Sequence, residues 1–157
     1  MHLSQHQFQL QSRFHQDVTA FALSSLSPDS TGLIDSDFDH DALRNGVVSI
    51  LQARGVMPDG LIFRFPEDPT PAPLDIRERF SPTAQSHLVM LTIPAFRADR
   101  ANCAEPDDVD AATRFIPADR QFTDETTGQD PKPIRLAQKN FQLRLDSQDL
   151  DGLVTLP

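Results

Sequence analysis

Residues 45–66, NGVVSILQARGVMPDGLIFRFP, constrain the fold more than any other stretch. Residues 47–53 are apolar and partly β-branched. Leu61, Phe63 and Phe65 alternate with Ile62 and Arg64, the two-residue period of a strand that buries one face. Pro58-Asp59-Gly60 between them is turn chemistry: proline presets φ, aspartate bonds its own backbone, and glycine accepts positive φ. Asn45-Gly46 marks a second turn just upstream. The stretch therefore predicts two strands at the sheet centre, on which the flanking segments pack.

At 157 residues the chain suits one domain with a real core. Its net charge of −9 gives nothing to phosphate neutralisation, so nucleic acid and anionic membrane surfaces are poor partners. The longest apolar run, residues 88–96, is too short to span a bilayer, and residues 1–20 lack the pattern of a signal peptide. A single cysteine, Cys103, forms no internal disulfide and fits a reducing compartment. Thirteen prolines against six glycines favour extended connections over long helices.

In chain order, residues 4–25 predict a helix. Ser4 and Gln7 fit a capping box, and Leu3 and Phe8 a hydrophobic staple. Leu10, Phe14, Val18, Phe21 and Ala22 form a broad apolar stripe that needs a partner, either the sheet or copies of the same helix. Ser27-Pro28-Asp29 stops it. Residues 33–41 predict a strand, with Ile34, Ser36 and Phe38 on one face and Asp35, Asp37, Asp39 and Asp41 on the other. Residues 66–75 predict a proline-rich extended run crossing between sheets or guarding an edge. Residues 86–93 predict a buried central strand ended by Pro94. Residues 97–112, with Glu105, Asp107, Asp108 and Asp110, predict a solvated loop with little fixed structure. One or two strands follow around Phe115, Ile116 and Phe122. Beyond a turn-rich break, Ile134 and Leu136 and then Phe141, Leu143 and Leu145 alternate with polar residues, Asn140 marking a bulge or bend. Residues 152–156 begin a last strand with no turn after it, which reads as a boundary inside or at the edge of a larger protein. The expected fold is mainly β, an antiparallel β-sandwich with one N-terminal α-helix.

No catalytic constellation stands out: there is no nucleophile elbow, phosphate-binding glycine loop or HExxH. The row Asp35, Asp37, Asp39 suggests a calcium loop. However, His40 stands where the sharp-turn glycine belongs and Gly46 where the bidentate glutamate belongs. A calcium- or sugar-binding sandwich is the alternative function this row motivates, and the absence of Trp and Tyr removes the usual stacking platform for a sugar. His2 and His6, four apart, would suit a metal-dependent hydrolase only with a third ligand, and none is near in sequence. His40 sits among aspartates without a pocket, His15 and His87 have no recognisable partners, and Cys103 has no evident base beside it. These residues describe a binding or scaffolding module, with no catalytic, cofactor or metal residue assigned.

Residues 1–14, MHLSQHQFQLQSRF, resemble the opening signature of the TssK family (ImpJ/VasE) of bacterial type VI secretion baseplate subunits, a pattern close to G-M-x-L-x-x-Q-H-F-Q-x-Q-x-R-[YF]. Met1, Leu3, Phe8, Gln9, Gln11, Arg13 and Phe14 match without a gap, while Gln7 stands where the family often has His. Residues 55–60, GVMPDG, with Phe63 and Pro66, resemble its G-[IVL]-x-P-D-G run, and Leu91-Thr92-Ile93-Pro94 its L-x-[IL]-P strand end. The order of features from Arg114 through Asp124 to Leu145 also follows the family. The resemblance implies a shoulder domain like the shell domain of phage receptor-binding proteins over residues 28–157. It places residues 1–27 at the start of a helical neck, with the C-terminal neck and head absent. It further implies a cytoplasmic homotrimer without catalysis or cofactor, docking on the wedge proteins TssF and TssG. The missing head would reach the TssL/TssM/TssJ membrane complex.

Overall fold

The computed structural model describes residues 4–26, 31–77, 79, 86–105 and 112–157. Its elements are α1 (Gln5–Leu26), β1 (Gly32–Phe38), α2 (His40–Arg44), β2 (Val47–Val48), β3 (Ile50–Val56), β4 (Ile62–Phe65), β5 (Leu74–Asp75), β6 (Val89–Pro94), β7 (Phe115–Phe122), β8 (Lys132–Lys139), β9 (Gln142–Leu145) and β10 (Leu153–Leu156). The strands pair as two three-stranded sheets, β1-β3-β4 and β10-β6-β9, and two two-stranded ones, β2-β5 and β7-β8. All these pairings are antiparallel.

Alternation in β4 turns Phe63 and Phe65 inward, and Leu91 and Ile93 of β6 and Leu143 and Leu145 of β9 join them in one core. The Phe141 ring closes the gap between the sheets, edge-on to Phe63 at 5.7 Å and to Phe65 at 5.3 Å between ring centres. This is the expected mainly β, antiparallel sandwich with an N-terminal helix. β6 is central in its sheet and ends at Pro94, as its two-sided apolar pattern predicts. Gly55 pairs with Phe63 across β3 and β4, and a methyl group added there would lie 2.7 Å from the Phe63 ring. The ring occupies the space a side chain would need.

The structure departs from the sequence reading at the N-terminal side of the sheet. The strand expected over 47–53 divides at Ser49, whose carbonyl accepts the Asp39 N–H at 3.0 Å. The strand expected over 33–41 stops at Phe38. Asp39 instead caps α2, its Oδ1 accepting the N–H groups of Asp41 at 3.0 Å and Ala42 at 2.9 Å. A five-residue helix is too short to show an apolar stripe, so only its cap was visible in the sequence, as one more aspartate in a row. Register shifts between Leu33 and Asp35 and between Asp37 and Phe38 break the alternation of β1. Ile34 is consequently exposed, and Phe38 alone of the expected inner face packs on the core.

Residues 66–73 cross from β4 to β5, and Asp68 anchors their start by accepting from Lys139 Nζ at 2.8 Å. In the described first part of the loop after β6, Asn102 Oδ1 accepts the Arg97 N–H at 2.8 Å, and its Nδ2 donates to the Arg97 carbonyl at 2.6 Å. Cys103 then bridges to Phe115. Asp107, Asp108 and Asp110 lie outside the described residues. Asn140 forms the expected break between β8 and β9 and donates to the Thr113 carbonyl at 2.9 Å.

In α1 the Ser4 N–H donates to Gln7 Oε1 at 2.9 Å, the reciprocal arm of the expected capping box. The Leu3 half of the staple and the stop at residues 27–29 lie outside the described residues. The helix meets the sandwich through Arg13 and Ala20, not through its apolar stripe. Arg13 lies 3.3 Å over the Phe96 ring. Ala20 lies against Gly60, where a Cβ would fall 2.6 Å from that of Ala20 and φ is +82°. Both seats hang from one buried guanidinium. Arg114 Nη2 donates to Asp59 Oδ2 at 2.6 Å, and Nη1 to the Pro94 carbonyl at 2.9 Å. Asp59 spends its other oxygen on the Leu61 N–H at 3.2 Å, which fixes the 58–60 turn.

Two measurements check this packing. Gly55→Ala is expected to lower unfolding free energy in urea by about 1–3 kcal/mol, the usual cost of overfilling a packed site. Arg114→Met is expected to cost close to the lower end of the roughly 3–5 kcal/mol for deleting one half of a buried pair, because Asp59 keeps 29% of its side chain in water. In a double-mutant cycle, adding Asp59→Asn should recover part of that loss; additive losses would show that the two groups do not interact.

Candidate functional site

The residues singled out for metal chemistry do not converge. Asp35 faces Arg54 at 3.9 Å, Asp39 is committed to the α2 cap, and Asp37 points to solvent. His6 is exposed on α1 and His2 lies outside the described residues. His40 opens α2 on the surface. Two histidines have partners that the sequence did not reveal. His15 stacks edge-on with Phe14 at 5.8 Å, and His87, whose side chain is nearly buried, stands 3.2 Å from Asp146. The pair spans 59 residues of sequence, so spacing gave no signal of it. The Leu88 amide and then His87 hold the Asp146 carboxyl below its ordinary pKa. Among the described residues, no group of three or more His, Cys, Asp or Glu side chains is placed to hold a metal ion.

Two other perturbed carboxylates belong to surface ion pairs. Arg77 beside Asp75 lowers that carboxyl to about 2. Arg135 holds Asp119 low across the β7–β8 pair. Burial and then Glu105 push the Cys103 thiol up, which keeps it protonated and a poor nucleophile. None of these groups lines the groove of residues 69–74, 116 and 139–143.

What the structure offers is surface for other proteins. The α1 stripe faces away from the sandwich, with Phe14 63% and Phe21 73% exposed and Leu10 and Val18 beside them. Four large apolar side chains at helical spacing, all open, form a patch that monomeric surfaces rarely carry. A second surface is a groove of about 480 Å³ between the proline-rich 69–74 run and the start of β9, floored by Phe141 and Leu143 and rimmed by Ile116. Sequence reasoning found the stripe. It missed the groove, because its walls come from three distant segments. It also missed Arg114, because an arginine ahead of an apolar strand looks the same whether it is buried or solvated. Among the described residues, no helix is long and apolar enough to cross a membrane.

Comparison with known proteins agrees with this picture. The chain is 27% identical over 155 residues to the type VI secretion system baseplate component TssK1 of Pseudomonas aeruginosa, covering 98% of this chain and 33% of that protein. It thus spans about a third of the length of that curated relative. The crystal structure of TssK superposes with a TM-score of 0.83 at 23% identity, over 99% of this chain and 35% of that one. The TssK-TssF-TssG baseplate subcomplex, determined by cryo-electron microscopy, matches with a TM-score of 0.86 at 17% identity, over 99% of this chain and 51% of its counterpart. At those identities the structures establish a common fold. The family model described as bacterial type VI secretion, VC_A0110, EvfL, ImpJ, VasE matches residues 7–157, and the chain belongs to that family.

Proposed function

We propose that this chain is a non-catalytic structural adaptor of the type VI secretion baseplate, docking on the wedge proteins TssF and TssG. The observation that carries the reading is its fold likeness, over 99% of its length, to a chain of the TssK-TssF-TssG subcomplex. Residues 28–157 act as the shoulder that meets the wedge. Residues 1–27 begin the neck, where the open stripe of α1 packs in the assembled homotrimer. The larger protein works in the cytoplasm and links the baseplate to the TssL/TssM/TssJ membrane complex through its other domains. The physical features support the same reading: large apolar side chains lie open on α1, and the Asp75–Arg77 and Asp119–Arg135 pairs lie at the surface.

Co-expression with TssF and TssG from the same genome, followed by affinity capture of TssF, tests it. The chain is expected to be retained through washing, and a Phe63→Asp control, which buries a charge in the core, should lose it. Absence of the chain from the eluate, with all three proteins folded by circular dichroism, would overturn the docking role.

A further inference from the structure

The β7–β8 ribbon has two chemically different faces. On one, Asp119 and Arg135 are cross-strand partners and form a fork, with Nε at 2.9 Å and Nη2 at 3.0 Å from the two carboxylate oxygens. That face is electrostatically closed. The other carries Ile116, Phe122, Ile134 and Leu136 around Arg120, with Phe122 44% and Ile134 46% exposed.

Arg120 differs from most cations of this chain. Arginines 44, 54, 64, 77, 114 and 135 each reach a carboxylate. Among the described residues, Arg120 reaches none. The Gln138 amide lies against its guanidinium; turned so that its oxygen faces the donors, the amide accepts from Nη2 at 2.9 Å and from Nε at 3.1 Å. Gln138 is the cross-strand partner of Ile116, whereas Arg120 itself pairs with Ile134. The arginine side chain therefore lies back along the ribbon toward its base. There Ile116 rims the groove of about 480 Å³. A neutral amide holds the guanidinium in place without cancelling its charge, on the ribbon face whose Ile116 lines a groove of mixed polarity, apolar at Leu74, Phe141 and Leu143 and polar at Thr70, Lys139, Asn140 and Gln142.

We propose that the groove and this ribbon face together bind an extended, carboxylate-bearing segment of a partner protein. Its apolar side chains enter the groove between the 69–74 run and Phe141, and its carboxylate takes the open side of Arg120. The charge fixes the occupant's chemistry: a chain of net charge −9 leaves this cation uncommitted on an apolar face. The inference rests on the docking reading above, under which the segment belongs to the TssF–TssG wedge.

The test is a binding titration of the full chain against the purified TssF–TssG complex, with three variants whose melting temperatures are compared with wild type. Arg120→Glu reverses the charge, and Ala72→Trp fills the groove from its exposed wall. Gln16→Ser alters only an exposed polar position of α1. Arg120→Glu and Ala72→Trp are each expected to weaken binding about tenfold or more with unchanged melting. Raised salt should weaken wild type more than Arg120→Glu, and Gln16→Ser should bind as wild type does. Wild-type affinity in both groove variants would overturn the inference and leave the docking reading standing. No binding by the wild type would overturn both. Self-association that Arg120→Glu abolishes, with wedge binding intact, would assign the surface to a second copy and overturn the proposal.

Discussion

The guanidinium of Arg114 is the interaction on which the rest of the molecule depends. It is nearly buried and joins the 58–60 turn, through Asp59, to the end of β6, through the Pro94 carbonyl. Burying a charge is costly unless it is paired and hydrogen-bonded, and here both ends of the guanidinium are satisfied. The geometry matters more than the energy. Gly60, beside Asp59, is the floor on which Ala20 rests, and Phe96, two residues past Pro94, takes Arg13. Arg114 itself leads directly into the β7–β8 ribbon. One side chain therefore fixes the relative placement of helix, sheet and ribbon, the three parts that carry the exposed surfaces.

The same arrangement explains the GVMPDG stretch in physical terms. Gly55 leaves room for the Phe63 ring, Met57 is fully buried, and Asp59 receives Arg114. Gly60 adopts positive φ beneath a helix that tolerates no side chain there. None of these roles is catalytic. They fix the turn, the core and the seat of the helix relative to one another, while the apolar stripe of α1 and the groove lie open elsewhere on the surface.

How much was legible in the sequence follows from the range of the interactions. Period-two patterns located β4 and β9, and an apolar run on both faces located β6, because both signals are local to the strand. The 58–60 turn and the Ser4–Gln7 cap were legible for the same reason. The acidic row misled because Asp35, Asp37 and Asp39 look alike in sequence, although Asp35 sits in a strand facing Arg54 and Asp39 caps a helix. The bulges of β1, which expose Ile34, leave no signature in composition. Arg114 with Asp59, His87 with Asp146, and the groove all join residues more than fifty positions apart, beyond the reach of any spacing rule. The family resemblance supplied the family, which chemistry alone could not name.

The most direct measurement is the distance between spin labels on Gln11→Cys in α1 and Gln52→Cys in β3, with Cys103 replaced by serine. Both labelled positions are exposed. If Arg114 holds the helix on the sandwich, the wild-type background gives one narrow distance, and Arg114→Met, still folded by circular dichroism, gives a broad or shifted distribution. An unchanged narrow distance in the folded Arg114→Met protein would contradict the account, and would mean that the contacts of Ala20 and Arg13 place the helix without it.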